Sequence, residues 1–207
     1  MHRDARAVVV EKPSGVSTHR GWDGEEDALL QRVREAVGLF VYPIHRLDRG
    51  ASGLVLFALD RDAARDFSAA WESAEKRYFA ITRGHPPEHA LIDHPIPRAP
   101  GEERVPAVTE IWRRETFGRY ALVEAAPRTG RLHQIRRHLK HLSCPLIGDV
   151  NYGKAEHNRL WRERHGLHRL ALHCASLRVP HPDGGVLSVT IPLAADLVAA
   201  IESCKRS

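Results

Sequence analysis

The chain has 207 residues, 43% of them apolar and 28% charged, which is enough for one substantial core or two small lobes, and a typical soluble balance. Thirty-one Lys and Arg against 26 Asp and Glu give a net charge of +5, which favours a polyanionic partner without proving one. No apolar run approaches the length of a membrane span, and residues 1–6 are too polar for a signal-peptide core, so no membrane partner is expected. Cys144, Cys174 and Cys204 are odd in number and widely spaced, arguing for a reducing cytoplasm over a disulfide framework.

Ala7 to Val10 reads as a short apolar strand, followed by a turn at Pro13-Ser14-Gly15. Leu29, Val33, Ala36 and Val37 recur at helical spacing within a helix predicted over 25–37 and stopped by Gly38. Val41 to Ile44 is extended and leads into His45-Arg46-Leu47-Asp48-Arg49, then the turn Gly50-Ala51-Ser52-Gly53. The apolar run Leu54 to Leu59 reads as a strand buried on both faces, so the polar cluster sits at the entrance of a core strand. Asp48 lies between two arginines, which favour its ionised form. It suits either a nucleophile or an ordinary turn residue paired with a surface arginine.

Asp60 or Asp62 caps a helix expected to run to about Ala74, and residues 76–81 form another strand. Residues 84–105 hold five prolines and read as a connector with one extended piece, Leu91 to Ile96. Ala107 to Arg113 and Tyr120 to Ala126 alternate as a hairpin around Phe117-Gly118. Leu132, Ile135, Leu139 and Leu142 then follow helical spacing, with Arg136 expected just past the first turn and a helix start able to hold an anion. Residues 128–141 and 158–169 are acid-poor and basic, suggesting a face for phosphates. Further on come a strand and turn at 145–153, a basic helix over 156–164, a strand pair across Asp183-Gly184-Gly185, and a closing amphipathic helix from Ala194 to Cys204. His138 and His141 are three apart on a helix, but no HExxH or CxxC accompanies them, so no metal is expected. The mixture of hairpins and helices gives an α+β fold, a mostly antiparallel sheet divided by a cleft and flanked by helices.

Three strings carry a resemblance. HRLDRGASGLVLFA at 45–58, KRYFAI at 76–81 and TGRLHQIRRH at 129–138 resemble, in order, motifs of the RluA-type pseudouridine synthase family, and KPSG at 12–15 resembles its first motif. One departure is Ala51, where the family usually has threonine. The resemblance runs from about Val8 to Ile191 and implies a pseudouridine-synthase-like catalytic domain spanning 1–207, with no separate N-terminal RNA-binding domain.

It also implies an isomerase that moves uracil from an N1 to a C5 glycosidic bond, needing no cofactor. Asp48 is then the catalytic nucleophile, Tyr78 the residue stacked on the base, and Arg136 the partner that holds Asp48 ionised. Arg46 fills the space left by a flipped uridine. His45, Arg49, Arg131, Arg137, Lys140, Arg159 and Arg162 are the remaining candidates for RNA contact, with Arg137 directed outward to phosphate. The segment 148–173 is most similar to the tRNA pseudouridine-65 synthase branch, making tRNA the expected partner and ribosomal RNA the alternative. A monomer is expected.

Overall fold

The computed structural model describes residues 1–19, 28–99 and 101–207. In chain order its elements are β1 (His2–Arg3), β2 (Ala7–Lys12), α1 (Leu29–Val37), β3 (Tyr42–Pro43), β4 (Ser52–Ala58), α2 (Arg61–Ala70) and β5 (Glu75–Arg83). These are followed by β6 (His89–Asp93), β7 (Ile96–Pro97), β8 (Arg104–Val105), β9 (Val108–Phe117) and β10 (Tyr120–Pro127). The remainder are α3 (Gln134–His141), α4 (Ala155–His165), β11 (Leu172–Pro180), β12 (Val186–Thr190) and α5 (Ala195–Lys205). The fold is α+β with a mostly antiparallel sheet, as the periodicities indicated. It divides into two compact units, residues 1–76 with 174–192, and residues 77–173 with 193–207.

The first unit is built on β4, whose seven residues are all buried, as expected of an uninterrupted apolar run. β2 lies antiparallel to it, from Ala7 opposite Ala58 to Lys12 opposite Gly53. β11 lies beside β4, and β12 pairs with β11 across a turn in which Gly184 and Gly185 both have positive φ. Gly53 explains the glycine in the turn before the apolar run. Its φ is 115°, and a Cβ there would lie 2.2 Å from the carbonyl oxygen of Cys174. Asp60 caps α2 by accepting the Ala63 amide at 2.7 Å. The helix stops at Ala70, short of Ala74, and tightens into a single 3₁₀ turn at Trp71–Ser73. α1 ends at Gly38, in the left-handed conformation expected of a stop signal, while its predicted start at 25–27 lies outside the described residues.

In the second unit the neighbours run β5-β10-β9-β6. The β9–β10 hairpin turns at Gly118 and Arg119, with a bulge at Leu122/Val123. The region 84–105 is more structured than a connector. β6 pairs with β9, and β7 with β8. Only Ile92 is buried in β6, too few positions for an alternating signal to show in sequence. The stretch at 145–153 predicted as strand and turn forms only an isolated bridge, Leu146 with Thr82, in place of the strand. α4 and α5 pack together over a core of Ile81, Phe117, Tyr120, Ile147, Trp161 and Leu197. Tyr120 meets Trp161 edge-on at 5.0 Å and shares a 2.9 Å hydrogen bond between its hydroxyl and His157 Nδ1. Among the described residues no helix is long and apolar enough to cross a membrane.

Candidate active site

In the first unit the KPSG turn and the HRLD loop are fastened to one another. Lys12 is fully buried, and its Nζ donates to the carbonyls of Pro13, Val16 and Arg49 at 2.9, 2.7 and 3.2 Å. A buried ammonium is tolerated only where such acceptors replace water. The Gly15 amide also donates to the Arg49 carbonyl at 2.8 Å, Ser14 Oγ donates to that of Gly50 at 2.7 Å, and Arg49 Nε donates to that of Gly15 at 2.9 Å. On the other side of Asp48, the buried Thr18 hydroxyl accepts the Leu47 amide at 3.1 Å and lies 3.3 Å from the Leu47 carbonyl. Asp48 itself is half-buried, and its carbonyl accepts the Ala51 amide. The backbone on both flanks of the aspartate is therefore braced by side chains 29 to 37 residues away in sequence. Sequence reading gave KPSG as a turn that resembles the family's first motif, and in the structure it is one half of this brace.

His45, at the loop's start, serves the fold. Its Nε2 accepts the Leu56 amide at 3.1 Å, and its ring stacks on Trp71 at 4.5 Å. Burial, with the charge of Lys76 adding to it, pushes its pKa down to about 3. The ring is therefore neutral at pH 7 and presents no charge to a phosphate. Lys76 lies 5.0 Å from the same Trp71 ring, and burial lowers its pKa in turn. Arg46 and Arg49 are exposed.

In the second unit Arg136 occupies the first turn of α3, earlier than predicted, because the helix begins at Gln134. His133 precedes it in the left-handed conformation at φ 54°. Gln134 is buried and closes the loop before it. Its Oε1 accepts the Thr129 hydroxyl at 2.6 Å and the Arg131 amide at 3.0 Å, while Nε2 donates to Val108 O and Thr109 Oγ1, each at 2.9 Å. The loop's hydrogen-bonding groups are thus partly turned inward.

Arg136 is buried, and it donates to Asp149 through Nε at 2.7 Å and Nη2 at 2.8 Å. Burial pushes the Asp149 carboxyl up, but Arg136 and the Tyr152 and Asn151 amides outweigh it and hold the group below its ordinary range. Asp149 was missed by sequence reading. The available signal was that it is the sole carboxylate between Glu124 and Glu156, and that a glycine precedes it. That glycine is obligatory, since a Cβ on Gly148 would lie 1.9 Å from the Arg169 carbonyl oxygen.

Tyr152 gathers this region together. Arg136 lies 5.1 Å from its ring centroid, and its hydroxyl meets His133 Nδ1 at 3.1 Å and accepts Arg137 Nε at 2.9 Å. Arg137 does not point outward as expected. It is half-buried, held by Tyr152 and by the carbonyl of Pro97 on β7, a hairpin the sequence did not reveal. Arg131 is exposed and reaches the Pro106 carbonyl at 3.2 Å, while Lys140, Arg159 and Arg162 are exposed. Tyr78 is buried on β5, opposite Ala125 of β10.

His138 and His141, the pair three apart, are engaged by neighbouring groups of the fold. His138 bonds Thr109 Oγ1 and the His94 carbonyl, and His141 stacks on His94 at 3.7 Å. Among the described residues no group of three or more His, Cys, Asp or Glu is placed to hold a metal ion.

Residues 6–141 match the family model for RNA pseudouridylate synthase. A protein named tRNA pseudouridine synthase C from Haemophilus ducreyi is 37% identical over 88% of this chain and 85% of its own length. The protein of the same name from Vibrio cholerae is 34% identical over the same shares. Among solved structures, human RNA pseudouridylate synthase domain containing 4 superposes with a TM-score of 0.81 at 26% identity, covering 99% of this chain and 92% of that one. Human RNA pseudouridylate synthase domain containing 1 gives 0.79 at 25%, covering 92% and 81%. With the motif order, the braced HRLD loop and these likenesses in agreement, the chain belongs to the RNA pseudouridylate synthase family and is an isomerase.

Proposed function

We propose that the chain is a tRNA pseudouridine synthase acting on uridine 65, near the base of the TΨC arm. In this reading a uridine leaves its stack, Asp48 attacks it, and the bond from ribose C1′ to uracil N1 breaks. The base turns, C1′ bonds to C5 as the bond to Asp48 breaks and the aspartate is regenerated, N1 takes up a proton, and the C5 proton is released to solvent. Tyr78 stacks on the uracil, Arg136 supports the reacting aspartate, and the exposed Arg46 takes the place of the flipped base. Arg49, Arg131, Lys140, Arg159 and Arg162 contribute cations for the phosphates, and the enzyme works as a monomer.

The observation that carries this reading is the brace on both flanks of Asp48. An aspartate that merely ended a turn would not need a buried lysine and a buried threonine to fix its neighbours. The names of the relatives support tRNA as the substrate.

The test is tritium release from unmodified tRNA labelled at uracil C5. Wild type is expected to release label, and Asp48→Asn to fall to background. A tRNA carrying cytidine at position 65 is expected to release one equivalent less. Release from ribosomal RNA alone would refute the tRNA assignment. Undiminished activity of Asp48→Asn would refute the nucleophile.

A further inference from the structure

The segment after α1 carries an aromatic corner that the reaction does not use. Gly38, at φ 71°, ends the helix and turns the chain so that Leu39 and Phe40 are 47% and 59% exposed. Phe40 is nevertheless held in place. The Arg34 guanidinium covers one face of its ring at 3.7 Å, and Tyr42 abuts it edge-on at 5.1 Å. Arg61 Nε in turn donates to the Tyr42 hydroxyl at 3.3 Å. The ring stays 59% exposed beyond these two contacts.

Nearby carboxylates are occupied. Glu35 accepts the Gln31 side chain at 2.9 Å, Asp60 caps α2, and Asp62 pairs with Arg65 at 3.1 Å. A held aromatic ring with one guanidinium behind it and another on the hydroxyl of the abutting Tyr42 matches a nucleobase and its phosphate. A purely apolar partner would leave those arginines unanswered.

We infer that Phe40 is a stacking platform for an unstacked base of the substrate RNA, backed by Arg34, with Arg61 one contact further out on the Tyr42 hydroxyl. The inference rests on the proposed action on tRNA and adds a contact outside the catalytic residues.

The experiment compares wild type, Phe40→Ala and Phe40→Trp in the full chain. The readouts are affinity for unmodified tRNA by filter binding, single-turnover tritium release at saturating tRNA, and sedimentation. Wild-type binding and release test the proposed function on their own. Given those, Phe40→Ala is expected to bind tRNA about five- to a hundredfold more weakly. Its saturating rate and sedimentation coefficient should stay at the wild-type values, and Phe40→Trp should restore affinity. Undiminished affinity of Phe40→Ala would overturn the platform while leaving the enzyme reading intact. A changed sedimentation coefficient with unchanged RNA affinity would overturn it in favour of a protein interface.

Discussion

At Arg136 a planar guanidinium fork meets a carboxylate of matching geometry, with the side chains only 7% and 0% exposed. The pair resists the loss of either member, because a buried charge whose counter-charge is removed is costly. Asp149→Asn is expected to lower stability by about 3–5 kcal/mol in urea denaturation and to reduce tritium release more than Tyr152→Phe does. A second residue, His45, makes stability depend on pH. Its folded value of about 3 lies below the ordinary 6.5, so below pH 6.5 the unfolded chain binds a proton that the native ring refuses. The stabilisation is complete above 6.5 and is lost as pH falls toward 3, by at most about 1.4 kcal/mol per pH unit. His45→Gln keeps an acceptor for the Leu56 amide and removes the titration. Unfolding measured at pH 7, 6 and 5 should then show a flatter acid slope than wild type. An identical slope would place the responsible group elsewhere.

Among the elements, β4 sets the tolerances of the first unit. Its residues are buried throughout, and its second position admits no side chain. Gly53→Ala combines a disfavoured φ with a clash against the Cys174 backbone, neither of which a rotamer change can relieve. Destabilisation of about 2–6 kcal/mol is expected, seen as a lower thermal midpoint or loss of soluble protein. Elements with enough repeated positions were legible in sequence, namely β4, the β9–β10 hairpin, the β11–β12 pair and α5. Of β6 and the β7–β8 hairpin only an extended piece at 91–96 was legible, because two to five residues leave no periodicity to detect. The end of α2 was misjudged because the 3₁₀ turn keeps the same residue types as the helix.

Across the molecule, the motifs singled out candidate residues but not what holds them. Asp48 and Arg136 stood out by charge and resemblance, whereas Lys12, Thr18, Gln134 and Asp149 emerged only from contacts distant in sequence. A hydrogen bond between residues 37 apart leaves no local trace, and Arg137 was misdirected for the same reason. Basicity is likewise unevenly composed, with 26 arginines and five lysines. Cationic contact with a polyanion thus falls mainly to guanidinium groups, which can stack as well as pair.

That scarcity gives the buried ammonium of Lys12 a second meaning. Lys140, Lys154 and Lys205 face solvent, while Lys12 and Lys76 are enclosed. An amine-acylating reagent therefore sorts the five into a prompt class and a protected class. Acylation at Lys12 requires its three carbonyl acceptors to let go, so its rate becomes a chemical clock for the breathing of the Asp48 loop, readable peptide by peptide in a mass spectrometer.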